Sequence, residues 1–171
     1  MKIKRKWSLI CMVLCGANLC IAQPSAVPAS TNWGKSVQGV QLLITLTNNV
    51  VETGASITAR IVMWNASTNI ITVGITGTAL DFGLVLRNGS GKPYDDLRPF
   101  PLSGSATSEM VTSGGIRERN VPVVFPSNIE PGEYTLVATR AFSSRAGSFM
   151  VESKPVRIQI KAKAGESVPA R

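Results

Sequence analysis

The chain has 171 residues, 18 basic against 10 acidic side chains, a net charge of +8, no histidine, and three cysteines confined to Cys11, Cys15 and Cys20. Without imidazole, Ser-His-Asp and Cys-His catalysis are excluded. If the first 22 residues are removed the thiols go too, and most nucleophilic, acid–base and transition-metal chemistry loses its usual carriers.

Lys2, Lys4, Arg5 and Lys6 precede an apolar run from Trp7 to Leu19 that Asn18 interrupts, and Cys20-Ile21-Ala22 then leads into Gln23-Pro24. This order predicts a secretory signal peptide over 1–22, cleaved after Ala22. The run falls short of the roughly 20 apolar residues that cross a bilayer, so no stable membrane span is expected in the mature form. Two alternatives compete: lipid attachment at Cys20, disfavoured by Leu19 and Ala17 before it, and cleavage at Val27-Pro28-Ala29, further from the apolar run. Loss of 1–22 leaves 14 basic and 10 acidic residues, a net charge of +4. The high pI therefore owes much to the signal, and the remaining basic residues do not alternate with aromatics; no nucleic-acid partner is expected. The expected location is secreted or periplasmic. Without disulfides, the domain has to be held by apolar burial and sheet pairing.

Residues 23–38, rich in Pro, Ser and Ala, predict a flexible leader. The folded domain is expected over 39–161. Gly39 to Thr47 predicts a first strand, with turn residues at Asn48-Asn49 and Glu52-Thr53-Gly54. Ala55 to Trp64 alternates, Ile57, Ala59, Ile61 and Met63 on one face and Thr58, Arg60 and Val62 on the other, which predicts a half-buried antiparallel strand. A turn at Asn65–Asn69 leads to a strand from Ile70 to Val73. Phe82 to Arg87 is the next strand, closed by Asn88-Gly89-Ser90-Gly91-Lys92, whose Asn-Gly pair favours a tight reversal.

Residues 93–120, with Pro93, Pro99 and Pro101, give the weakest pattern; Glu109 to Thr112 predicts a short edge strand and Ile116 to Val124 another. Glu133 to Phe142 alternates, with Tyr134, Leu136 and Ala138 opposite Thr135, Val137 and Thr139. A turn is expected at Arg145–Ser148, then a final strand in which Val156, Ile158 and Ile160 alternate with Arg157, Gln159 and Lys161. Residues 162–171 predict a flexible tail. No 3.6-residue apolar stripe occurs. Seven to eight strands and no helix predict an all-β, antiparallel β-sandwich without a disulfide.

Ile129-Glu130-Pro131-Gly132-Glu133-Tyr134-Thr135-Leu136 resembles the tyrosine corner of immunoglobulin-like and fibronectin type III-like domains. The resemblance makes Tyr134 the corner residue and Ile129 a core plug beside it. Gly54 to Ile57, Asn65-Ala66-Ser67, Pro131 to Thr135, Arg140 and Ser153 to Ile160 together resemble an immunoglobulin-like module of secreted bacterial proteins. A looser similarity is to the intracellular proteinase inhibitor type of bacterial immunoglobulin-like domain. Such sandwiches host many unrelated sites, so the resemblance implies a fold and assigns no binding residue.

No catalytic or metal-binding residue is assigned and no cofactor is expected. Asp81, Asp95, Asp96, Glu109 and Glu118 are available for carboxylate-pair chemistry but read as solvated loop and turn residues, and Asn88 to Asp96 lacks calcium-loop spacing. Asn65-Ala66-Ser67 and Asn88-Gly89-Ser90 match the N-glycosylation triplet and read as turns. Arg117, Arg119, Arg140 and Arg145 are candidates for a basic cluster, against a solvated strand face. Trp33 reads as a tail residue and Trp64 as core or rim, with sugar stacking as the alternative for Trp64. The expected function is an exported, non-enzymatic module that binds an unidentified protein at the bacterial envelope or outside the cell. Inhibition of extracytoplasmic proteases through a loop at 98–120, or carbohydrate binding, are the alternatives.

Overall fold

A computed structural model describes residues 32–75, 82–94, 107–144 and 147–163. Among them there is no helix, and eleven strands run in the order β1 (Val40–Leu46), β2 (Val50–Glu52), β3 (Ser56–Asn65), β4 (Ile71–Ile75), β5 (Gly83–Asn88), β6 (Pro93–Tyr94), β7 (Thr107–Val111), β8 (Ile116–Val124), β9 (Gly132–Ser144), β10 (Gly147–Glu152) and β11 (Val156–Lys161). The protein is all-β, and the cysteines lie outside the described residues. The count exceeds the seven to eight expected. The additional strands are β2 and β6, of three and two residues, and β10, which lies where only a turn was expected.

One sheet has the order β1-β3-β8 and the other β2-β11-β9-β5-β6, while β4 and β7 form a two-stranded ribbon. β10 and β11 share one side of β9: β10 pairs with residues 139–144 and β11 with 132–136. Two pairings depart from the antiparallel expectation: β2 with β11, and the isolated bridge of Leu42 with Ser153, both parallel.

Period-2 alternation puts the apolar residues of both sheets into one core. Val40, Leu42 and Ile44 of β1, Ala59, Ile61 and Met63 of β3, and Val121 and Val123 of β8 meet Leu86 of β5, Leu136 and Ala138 of β9, and Ile158 and Ile160 of β11. Phe82 and Phe125, both fully buried, fill the remaining depth. Two sheets sharing one apolar layer make a sandwich. At about 1.5–3 kcal/mol for each large apolar side chain buried, this layer is the main stabilising term of the described residues, which contain no cysteine.

The segment expected as leader is divided. Residues 23–31 lie outside the described part, whereas residues 33–37 run beside β1. Val37 and Val40 exchange backbone hydrogen bonds around Gln38 (φ 49) and Gly39 (φ 80), and Gly34 N donates to Leu42 O at 2.8 Å. Positive φ at both central residues is the mark of a two-residue hairpin turn whose twist suits flanking strands. Gly34 is buried, and a Cβ on it would overlap the carbonyl oxygen of Glu152. Trp33 then stacks on Trp64, ring centroids 5.7 Å apart and planes tilted by 53°. Beside them Leu43 and Val62, paired across β1 and β3 on the outer side of the sheet, are 2% and 0% exposed.

Candidate functional site

The corner between the sheets forms as its sequence predicts. Tyr134 Oη donates to the Glu130 carbonyl at 2.7 Å, and Ile129 beside it is 2% exposed. Burial, then the nearby Glu130 and Tyr94, raise the Tyr134 phenol above its ordinary value. A phenol held protonated and hydrogen-bonded to the backbone is a structural group, not an acid–base catalyst.

Of the carboxylates considered for chemistry, the two among the described residues, Glu118 and Glu109, are each paired with an arginine. Glu118 is bound by both Nε and Nη2 of Arg60 at 2.5 and 2.6 Å on the outer face of the β1-β3-β8 sheet. This fork holds its carboxyl below the usual range and raises the Arg60 guanidinium. Glu109 pairs with Arg117. Asp81, Asp95 and Asp96 lie outside the described residues. Among the described residues no group of three His, Cys, Asp or Glu side chains is placed to hold a metal.

The arginines considered as a cluster take separate duties. Arg117 pairs with Glu109 of β7, and Arg119 Nη1 donates to the Glu118 carbonyl at 3.0 Å. Arg140 points into the sandwich, 7% exposed, with its guanidinium 4.7 Å from the ring centre of Phe82 and 5.6 Å from that of Phe142. It also donates to the Gly74 carbonyl. Arg145 lies outside the described residues.

Both glycosylation triplets are turns. Asn65 is fully buried: Nδ2 donates to the carbonyls of Asn69, Val111 and Thr112, and Oδ1 accepts from the Ser67 amide and hydroxyl. A side chain so enclosed is inaccessible to a glycosyltransferase in the folded domain. Asn88 Oδ1 accepts from Ser90 N, Ser90 Oγ and Lys92 N, which closes the reversal after β5. Trp64 is half-buried, with the Trp33 ring tilted against it.

The site that remains is a groove of about 500 Å³ on the β2-β11-β9-β5 side. Its floor is two cross-strand pairs, Arg157 with Thr135 and Gln159 with Glu133. Alternation places these four on the outer face, because Ile158 and Leu136 point to the core. Asn49 and Val50 form one wall and the Asn88–Gly91 turn the other. Among the described residues the side chains of Arg157, Thr135, Gln159 and Glu133 make no hydrogen bond or ion pair with another residue. The sequence assigned no binding residue; it marked Thr135, Arg157 and Gln159 only as positions alternating with apolar ones, and Glu133 as the start of a strand. Their polar i, i+2 pattern on β9 and β11 was legible, but their adjacency needs the strand register.

No protein-family model matches the chain, and no curated protein matches it in sequence. Its fold is similar to that of several solved structures. The sporulation control protein Spo0M of Bacillus subtilis aligns at 10% identity and a TM-score of 0.46, over 74% of this chain and 51% of that one. The C-terminal domain of Wzt aligns at 10% identity and a TM-score of 0.46, over 87% and 93%. A family 123 glycoside hydrolase from Clostridium perfringens aligns at 13% identity and a TM-score of 0.42, over 73% and 28%. The chain thus spans about half of the first protein and under a third of the hydrolase, and likenesses at this level say nothing of activity.

Proposed function

We propose that this chain is an exported, non-enzymatic immunoglobulin-like module that makes protein–protein contacts at the bacterial envelope or outside the cell. The strand order β1-β3-β8 against β2-β11-β9-β5-β6 and the Tyr134 corner support the immunoglobulin-like assignment. Export rests on the basic and apolar pattern of residues 1–22 and cleavage after Ala22.

The observation that carries protein contact is the outward side of the β4–β7 ribbon. Val73 and Val111 turn inward, while Ile70 and Met110 are 62% and 69% exposed. Met110 pairs with Thr72, which brings Ile70 and Met110 onto the same side, diagonally across the ribbon. Two large apolar side chains in water, one on β7 and one just before β4, are what an interface core uses. The inhibitor alternative has less support: of residues 98–120, positions 98–106 lie outside the described residues, and 107–111 and 116–120 belong to strands joined by a tight turn.

A photoreactive residue in place of Met110, in cells that export the protein, tests this reading. A single adduct is expected that excess unmodified protein displaces and that Ile70→Lys abolishes. The same probe at Thr58, within β3 of the β1-β3-β8 sheet, is expected to give none. Equal labelling from both positions, or an adduct that excess protein does not displace, removes the reading.

A further inference from the structure

We propose that the groove on the β2-β11-β9-β5 sheet binds a saccharide chain carrying a carboxylate, of the uronic acid type. Arg157 would take the carboxylate, and Glu133, Gln159, Thr135 and Asn49 the hydroxyl groups. This surface is separate from the β4–β7 ribbon, so the inference stands apart from the protein contact proposed above.

The chemistry of the floor selects the ligand. Arg157 only donates, Glu133 only accepts, and Gln159 and Thr135 do both. A sugar hydroxyl also donates and accepts, and planar carboxylate, amide and guanidinium groups each match a pair of neighbouring hydroxyls. These side chains are not committed elsewhere. On the opposite sheet Arg60 and Glu118, similarly facing outward on neighbouring strands, close on each other. Arg157 and Glu133 lie diagonally across β11 and β9, within reach of long side chains, yet make no ion pair. The groove therefore keeps a free donor and a free acceptor side by side.

Charge sets the ligand's acidity. Arg87 is the third member of the Arg157–Thr135 row on the outer face, and its buried Nε has no hydrogen-bond partner. Arg157 is the guanidinium that lines the groove and Arg87 lies in the same row beyond the lining; together their charges outweigh that of Glu133 and favour a ligand that carries carboxylate. A peptide would look for an apolar anchor pocket, and Val50 is the single exposed large apolar side chain on the walls. Gly89 and Gly91 on the rim have open space around them, so a ligand can approach the backbone there.

The test is an amide chemical-shift titration of the purified exported protein with a short oligogalacturonate, its methyl ester and pentaglutamate. Oligogalacturonate is expected to shift Gly89, Gly91, Thr135 and Gln159. The methyl ester is expected to bind several-fold more weakly at the same amides. Arg157→Ala should weaken oligogalacturonate binding about tenfold or more, the effect of losing a charged hydrogen bond. Glu133→Gln should weaken acid and ester alike, while Arg60→Ala, on the far sheet, should change neither. Absence of shifts with both saccharides overturns the proposal. So does binding of pentaglutamate as tight as that of oligogalacturonate, or an Arg157→Ala protein that binds unchanged.

Discussion

The Tyr134 hydroxyl donates to the carbonyl of Glu130, four residues earlier, at 2.7 Å. This bond ties the entry of β9 to the loop that crosses between the sheets, and Ile129 plugs the core next to it. Tyr134→Phe keeps the ring and leaves the Glu130 carbonyl without its partner, so a loss of about 1–2 kcal/mol is expected in urea unfolding. The phenol also titrates. Its value is raised in the folded chain, so its contribution is complete below about pH 10, the ordinary phenol value, and falls as pH rises through the folded value. Alkaline destabilisation should be shallower in Tyr134→Phe, and a pH series of unfolding midpoints checks this.

Much of the fold was legible in the sequence because the strands with the clearest alternation are those that face the core. Ala59, Ile61 and Met63 of β3 and Ile158 and Ile160 of β11 were placed by pattern alone. The elements that escaped have other causes. β2 and β6 are too short to carry a period, and β6 begins with Pro93, which cannot donate to a strand ladder. β10 did carry a signal, with Phe149 and Val151 facing inward and Met150 outward, but the turn residues before it masked the strand. Residues 33–37 were hidden for another reason: Gly34 is a buried contact in a segment composed like a linker. Its role comes from Glu152, more than a hundred positions away. The groove was illegible for the same reason, since cross-strand neighbours are set by register.

Gly34→Ala is the direct test of that N-terminal hairpin. A methyl group at residue 34 meets the Glu152 carbonyl oxygen, so the segment has to leave β1 and give up the Gly34–Leu42 hydrogen bond. The expected cost is about 1–3 kcal/mol, as for other overpacked sites. Trp33 would leave Trp64 with it. In the protein cleaved after Ala22 these are the remaining tryptophans of the chain's three, so a red shift in emission would report the release. An unshifted spectrum with unchanged stability would show that the segment does not hold β1 in solution.

Asn65 ties together parts of the domain that alternation cannot. Its side chain joins the end of β3 to the turn at Asn69 and to the Val111 and Thr112 carbonyls at the end of β7. Its backbone exchanges hydrogen bonds with Gly114 and Gly115. Asn65→Leu leaves buried carbonyls unpaired and should cost at least about 3 kcal/mol. Asn65→Asp should cost more than its small change in shape suggests, because it turns a donor into a charged acceptor among carbonyl oxygens. Chemical denaturation with an unchanged m-value would attribute either loss to the folded state. Asn88→Ala, which unties only an exposed reversal, should cost under about 1.5 kcal/mol.

Arg60 and Glu118 make the complementary case, a well-formed fork in the open. Their side chains are 44% and 43% exposed, so solvent screens the pair and about 0.2–1 kcal/mol is the expected contribution at neutral pH. The Arg60 hydrogen bond holds the Glu118 carboxyl low. The contribution is therefore complete above the unfolded carboxyl value, about 4.3, and disappears as pH falls through the folded value. Glu118→Gln should be slightly less stable than the parent at pH 7 and indistinguishable from it once Glu118 is protonated. Raising the salt to about 1 M, where the Debye length is near 3 Å, should narrow the pH 7 difference. A gap that persists at low pH and high salt would mean that Glu118 acts through packing against β3, with no role for its charge.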